Sequence, residues 1–252
     1  MNTPIALITG GNRGLGRSAA LALARRGTDV VLTFRGDSAG GAAVVAEIEA
    51  LGRKAAALPL NLSQPEGIPA FVEQLRARLR EHFARDGIRY LLNNAGMGVH
   101  ASFAETRVAE FDDLMNVHLK GPFFLTQALL PLLEDGGRIL NVSSGLARFS
   151  LPGYAAYAAM KGAIEVLTRY QAKELGSRGI SVNAIAPGAI ETDFGGGRVR
   201  DDADLNQFVA SITALGRVGM PEDIGPVMAS LLSEETRWIT GQRVEASGGM
   251  FL

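Results

Sequence analysis

The stretch Ile5-Ala6-Leu7-Ile8-Thr9-Gly10-Gly11-Asn12-Arg13-Gly14-Leu15-Gly16 decides the fold. Four apolar residues run directly into a glycine-rich turn, and an apolar-periodic segment, Leu15–Arg26, follows at once. A short continuous apolar run reads as a strand covered on both faces, and the segment after it reads as a helix. In that context a glycine loop is informative. Glycines at 10, 14 and 16 allow a tight turn and bring the N–H groups of Asn12, Arg13 and Leu15 close to an anion, and the helix N-terminus adds its partial positive charge.

The same alternation continues outward. Strand-like runs are expected at Asp29–Phe34, Ala55–Leu60, Ile88–Asn93, Arg138–Val142, Ile180–Ala186 and Val244–Ala246. Helical patterns are expected at Ala42–Leu51, Glu66–Phe83, Glu110–Leu133, Tyr154–Leu175 and Pro221–Leu232. Strand then helix, repeated, predicts an α/β doubly wound parallel sheet of about seven strands with right-handed crossovers and helices on both faces. No linker, repeat or low-complexity tract interrupts the 252 residues, so one domain over 1–252 is expected. The least regular part is 194–204, with three glycines in a row at 195–197.

Composition excludes several classes. The net charge is −1 and charged residues make up 20% of the chain, which offers no basic footprint for nucleic acid and no polybasic membrane signal. The sequence has no cysteine, so disulfides and thiolate metal sites are excluded, and no metal is expected. No run reaches the length of a membrane span, and the apolar run at 5–8 leaves no room for a secretory signal; a cytoplasmic location is the expectation.

Two arginines bear on the ligand of the glycine loop. Strand two ends Thr33-Phe34-Arg35. Where an acid would accept a ribose 2′-hydroxyl there stands Phe34, followed by Arg35, and Arg13 lies inside the loop. Two guanidinium groups suit a 2′-phosphate, so the expected cofactor is NADP(H); Asp37, two residues on, argues the other way. At the chemical end, Tyr157-Ala158-Ala159-Met160-Lys161 places a phenol and an ammonium on one helix face. A neighbouring ammonium favours the phenolate, so Tyr157 is expected to have a lowered pKa and to exchange a proton with a carbonyl or alcohol oxygen.

The glycine spacing T-G-x-x-x-G-x-G and the Y-x-x-x-K pair together resemble the short-chain dehydrogenase/reductase family, and further motifs across essentially the whole chain agree with it. The resemblance implies a Rossmann-like fold and hydride transfer between NADP(H) and a carbonyl or secondary alcohol. Asn61-Leu62 stands where the family meets the adenine, Asn61 in place of an aspartate, and Asn94-Ala95-Gly96 matches the turn beneath the cofactor. Ser144, thirteen residues before Tyr157, corresponds to the serine that donates to the substrate oxygen; Ser143 and Tyr154 are adjacent decoys. Lys161 is expected to reach the nicotinamide ribose, and Pro187-Gly188, Ile190 and Thr192 to hold the carboxamide. Ile239-Thr240-Gly241-Gln242 and Ser247-Gly248-Gly249 also match.

One departure stands out. Val117-His118-Leu119-Lys120-Gly121 carries a histidine where the family's asparagine supports a water chain to the active lysine. His118 is either an interior packing residue or a member of that proton relay. A mobile lid is expected at 194–215, with Leu205, Phe208, Val209 and Ile212 as its apolar stripe, over a pocket of Met97, Val99, Leu146, Phe149, Leu151 and Tyr154. Such a pocket suits a small to medium apolar ketone or 3-oxoester. A 3-oxoacyl-carrier-protein reductase is the alternative, disfavoured by the acidic Leu133-Glu134-Asp135-Gly136-Gly137, though Arg178 could assist. A non-catalytic NADP(H) sensor stays open as a different class, since fold does not fix function. The resemblance also implies a homotetramer, with a dimer as fallback.

Overall fold

The computed structural model describes residues 3–252. Seven parallel strands form one sheet in the order β3-β2-β1-β4-β5-β6-β7. They are β1 (Ile5–Ile8), β2 (Asp29–Phe34), β3 (Ala55–Pro59), β4 (Ile88–Asn93), β5 (Leu133–Val142), β6 (Ser181–Pro187) and β7 (Arg243–Ala246). The helices between them are α1 (Gly14–Arg25), α2 (Ser38–Ala50), α3 (Ile68–Arg78), α4 (Val108–Met115), α5 (Gly121–Leu129), α6 (Ala155–Leu175), α7 (Arg198–Asp201), α8 (Ala203–Ser211) and α9 (Pro221–Leu231).

The continuous apolar character of the strands has a simple cause. Successive strand side chains point to opposite faces. Ile5 and Leu7 of β1 pack with Phe71, Leu75, Leu125 and Leu129 of α3 and α5. Ala6 and Ile8 pack instead with Ala20, Leu23, Ile48 and Met228 of α1, α2 and α9. Both faces of β1 are covered, so all four of its positions are apolar. Each fully buried leucine or isoleucine contributes roughly 1.5–3 kcal/mol.

Two differences from the sequence-based boundaries matter later. The long helix expected over 110–133 is α4 and α5 joined by a π-turn at Asn116–Lys120. β5 begins at Leu133, five residues earlier than expected, and its register against β4 shifts between Ile88 and Tyr90. The chain order reverses between β1 and β4, which opens a crevice beyond the carboxyl ends of these strands. The glycine loop, the Asn94 turn, Ser144 and the Pro187-Gly188 turn all follow the C-terminal ends of their strands, so the sheet delivers them to that one edge.

Candidate active site

The glycine loop is built into the fold by side chains of its neighbours. Thr9 Oγ1 accepts from the N–H groups of Asn94 and Ala95, each at 2.9 Å. Asn94 Nδ2 donates to the carbonyls of Thr9 and Gly10 at 2.9 and 3.1 Å. A Cβ at residue 16 would lie 2.2 Å from the Gly10 carbonyl oxygen, so only glycine lets α1 start this close to the loop. No side chain caps the first turn of α1, and its N–H groups remain for an anion. These features fit a dinucleotide pyrophosphate.

The adenine side is less settled by protein contacts. Asp37, the residue that argued against a phosphate, is committed elsewhere. Its carboxylate accepts from Gly40 N at 2.8 Å, capping α2, and from Asn12 Nδ2 at 3.0 Å. Those hydrogen bonds, with Arg13 nearby, hold it below the usual carboxylate pKa. Asn12 therefore serves Asp37. Arg35 is exposed, and Arg13 makes one loose ion pair, with Asp193 at 3.6 Å. A cavity of 490 Å³ opens beside Arg35, lined also by Phe34, Gly36, Leu60 and Asn61. Asn61 Oδ1 already accepts from Ser63 N at 3.1 Å, and the Leu62 side chain is in the core. The turn after β6 crosses to the glycine loop: Gly188 N donates to Ala246 O at 3.3 Å, Ile190 bridges to Gly219, and Thr192 packs beside Gly14.

At the chemical end the side chains are buried and interlocked. Tyr157 and Lys161 on α6 are 8% and 4% exposed. Lys161 Nζ donates to the Val142 carbonyl at 2.6 Å and lies 5.5 Å from the Tyr157 ring centre. Burial lowers the Lys161 ammonium to about 7. Burial also pushes the Tyr157 phenol up, which the facing Ser144 side chain opposes and Tyr154 reinforces. The expected lowering of Tyr157 is thus reversed: desolvation dominates, and the Lys161 ammonium donates to Val142 rather than to the phenol. Ser144 Oγ accepts from Leu146 N at 3.2 Å, opening a short turn at Gly145–Ala147.

His118 sits in the π-turn, 2% exposed, with its ring edge-on to Tyr157 at 5.1 Å. Its Nε2 is 2.8 Å from the Met97 carbonyl and 3.2 Å from the Met97 N–H, while Nδ1 is buried without a partner among the described residues. Burial, then the charge of Lys161, lowers its pKa well below 6.5, so it stays neutral. Asn116, two residues out of register, points instead to the Ser63 carbonyl.

Phe194, at the start of the expected lid, covers the site from above. Its ring centre is 5.7 Å from that of Tyr157, and a Cβ on Gly98 would meet it at 3.0 Å. Gly195, Gly196 and Gly197 follow with φ of 63°, 78° and 76°, a left-handed run that glycine alone accepts without strain. Of the apolar stripe on α8, only Val209 is buried and Phe208 is 48% exposed, so this face is not core. Met97, Val99 and Leu146 pack around Tyr157 as expected of pocket walls, Tyr154 stacks edge-on with His100, and Phe149 packs on Phe251.

The acidic segment needs a correction. Leu133–Gly137 is the N-terminal end of β5, at the opposite end of the parallel sheet from the site. Glu134 pairs with Arg85, and Asp135 with Arg178. These charges therefore do not line the entrance, and neither they nor Arg178 bear on an acyl carrier. Sequence reasoning also missed Thr9 as a site residue, and it placed Phe194 only as the first residue of the expected lid. Thr9 had a signal in its place within the glycine motif; Phe194 had only its position before the glycine run.

Comparison with known proteins agrees with this geometry. The family model described as Enoyl-(Acyl carrier protein) reductase matches residues 10–251. The tetrahydroxynaphthalene reductase PfmaG of Pestalotiopsis fici is 35% identical, over 97% of this chain and 90% of its own. The 3-oxoacyl-[acyl-carrier-protein] reductase FabG of Staphylococcus aureus is 34% identical over 99% of both chains. The angucycline C-6 ketoreductase LanV, solved with bound NADP, superposes with a TM-score of 0.94 at 35% identity, over 98% of this chain and 95% of its own. With its glycine loop, its buried tyrosine–lysine pair and relatives that match end to end, the chain belongs to the short-chain dehydrogenase/reductase family.

Proposed function

We propose that this chain reduces an apolar cyclic ketone to a secondary alcohol with NADPH. The observation that carries the reading is the convergence of Ser144, Tyr157 and Lys161 in one buried pocket beneath Phe194. When bound, the cofactor supplies the hydride. Gly10, Gly14, Leu15 and Gly16 hold its pyrophosphate, Arg13 and Arg35 its 2′-phosphate, Asn61 and Leu62 the adenine side, and Asn94 to Gly96 the floor. Pro187, Gly188, Ile190 and Thr192 hold the carboxamide. Ser144 donates to the carbonyl oxygen and fixes its position. Tyr157 gives that oxygen a proton as negative charge develops there. Lys161 keeps one proton on Val142, offers the others toward the ribose, and its ammonium, 5.5 Å from the Tyr157 ring centre, offsets the charge left on Tyr157. His118, neutral and with Nε2 committed to Met97, offers Nδ1 as an acceptor that orders a water on the path to Lys161. Phe194 and the 194–215 lid exclude water.

Phe194 over Tyr157 and Tyr154 beside it, with tetrahydroxynaphthalene and angucycline in the names of the PfmaG and LanV reductases, favour a planar ring ketone. A 3-oxoacyl thioester is the second reading, favoured by the full-length likeness to FabG now that the acidic segment lies away from the entrance. NADPH oxidation over 2-tetralone, hydroxynaphthoquinones, 3-oxoesters and an acyl-carrier thioester decides between them. Preference for the thioester by kcat/KM overturns the first reading, and no turnover of any member overturns both in favour of a sensor.

We further propose assembly through the outer face of α5 and α6. A groove of 820 Å³ there is lined by Leu119, Phe123, Phe124, Val166, Leu167 and Tyr170, of which Tyr170 is 65% exposed. Apolar surface of this extent on two neighbouring helices marks an interface. With the C-terminal end as a second contact, light scattering at micromolar concentration should give a tetramer mass; a dimer mass shows that this face alone associates, and a monomer mass rules assembly out. No helix among the described residues is long and apolar enough to cross a membrane, and a cytoplasmic enzyme is the matching reading.

A further inference from the structure

The face of α6 that carries Tyr157 and Lys161 continues one turn further to Glu165, so three functional groups follow at four-residue steps. Glu165 Oε1 accepts from Ser143 Oγ at 2.6 Å and from Arg243 Nε at 2.6 Å. Ser143 Oγ is also 3.3 Å from the Lys161 carbonyl, but its single proton goes to the nearer, charged oxygen. From β7, Arg243 reaches on with Nη2 to the main-chain carbonyl of Ser144 at 3.3 Å, and with Nη1 to Glu245 at 2.9 Å. Arg148 holds Glu245 through two hydrogen bonds of 2.8 and 2.9 Å and also bonds the Met250 carbonyl.

We propose that Ser143, Glu165 and Arg243 are positioning residues that fix Ser144 against Tyr157. The serine stands in the loop after β5, whereas the tyrosine and lysine stand on α6, and nothing in the glycine cradle joins the two. The strut joins them through Ser143, next to Ser144 in the chain, and through the Ser144 carbonyl itself. Both charged members are mostly shielded, with side chains 22% exposed for Arg243 and 16% for Glu165. Loss of one partner leaves the other charge poorly compensated, unlike loss of an exposed pair. A displacement of about 1 Å between reacting groups can cost up to about 10²-fold in rate. The strut touches neither cofactor loop, so its loss should lower kcat without weakening cofactor binding.

The inference rests on the reading of Ser144 and Tyr157 as catalytic, and the two fail separately. Tyr157→Phe with normal turnover overturns that reading, whereas an inactive Tyr157→Phe beside a normal Glu165→Ala overturns only the strut. The experiment measures kcat, KM and the NADPH dissociation constant, with the best ketone from the panel above and the full-length enzyme. Glu165→Ala should lower kcat about tenfold, with KM and NADPH binding within about twofold of the parent. Glu165→Gln keeps an oxygen that accepts from both partners and should recover most of the loss. Ser143→Ala removes one hydrogen bond and should cost kcat about threefold, which keeps the test open if Glu165→Ala does not fold. Adding Arg243→Met to Glu165→Ala should cost less than the two single effects combined, as members of one unit do. Unchanged kcat in folded Ser143→Ala and Glu165→Ala overturns the proposal. So does a loss that Glu165→Gln fails to rescue, or one in which NADPH binding and melting temperature fall in step with kcat.

Discussion

The two ends of the site are held in opposite ways. At the chemical end, Tyr157, Lys161 and His118 are each less than 10% exposed and locked by packing and by hydrogen bonds to Val142 and Met97. At the phosphate rim, Arg13 has a side chain 67% exposed and one loose partner, and Arg35 is exposed. The difference follows from what each must do. Proton transfer needs groups placed within a few tenths of an ångström before the substrate arrives, so the fold itself must place them. A 2′-phosphate brings its own charge and geometry and can draw flexible arginines into position when it binds. Substitutions should therefore separate into rate effects at one end and cofactor-selectivity effects at the other.

The largest effect should come from Tyr157→Phe, which keeps the ring that packs against His118 and Phe194 and removes only the proton. Turnover should fall by about 10²–10⁴-fold while NADPH affinity holds, checked by steady-state kinetics and cofactor fluorescence. Near-normal kcat, or a matching loss of NADPH affinity, breaks the separation. Next in size is Arg35→Asp. It removes a charged donor and adds repulsion, so the kcat/KM preference for NADPH over NADH should drop by about 10–100-fold, with kcat on saturating NADH near that of the parent. An unchanged preference shows that the rim arginine does not read the phosphate.

Lys161 sharpens the comparison through stability. Its ammonium is lowered by burial from 10.5 to about 7. Between those values the unfolded chain holds a proton there that the folded chain has lost, so stability rises with pH across the window. The lysine's destabilising contribution is full below about 7 and fades toward 10.5. Lys161→Met should thus raise the melting temperature of the cofactor-free protein by a few degrees at pH 6 and by less at pH 9.5, while abolishing turnover. An equal shift at both pH values shows that the buried charge is not the cause. For the parent, kcat/KM for reduction should fall as pH rises through about 7, because the free enzyme then loses the ammonium.

The smallest effect belongs to His118→Asn. Asparagine keeps a donor and an acceptor but does not titrate, so kcat should stay within about threefold of the parent. His118 protonates only well below 6.5, and the acid-side loss of kcat expected there should weaken in the variant. Superimposable kcat–pH profiles make His118 a packing residue that holds Met97.

Much of this site was legible in the chain alone because it follows local rules. A glycine loop between strand and helix, a tyrosine and lysine four residues apart, and continuous apolar strands each reflect one period or one turn. Those rules led directly to the parallel sheet and to the Tyr157–Lys161 pair, whereas Ser144 came from the family resemblance. What tertiary structure decided lies between elements distant in sequence. Ser143 read as a decoy because its partner, Glu165, lies 22 residues on, and Arg243 a further 78. Asp37 read as an obstacle to phosphate because its second partner besides the Gly40 N–H it caps is Asn12, from another loop. Glu134 and Asp135 read as guarding the entrance because a run of acids carries no label for which end of a strand it occupies. The sign of the Tyr157 shift, finally, depends on how much water burial removes around the phenol. Spacing along a helix determines which groups meet, but the surrounding dielectric and the competing carbonyl of Val142 exist only once the sheet and α6 have packed.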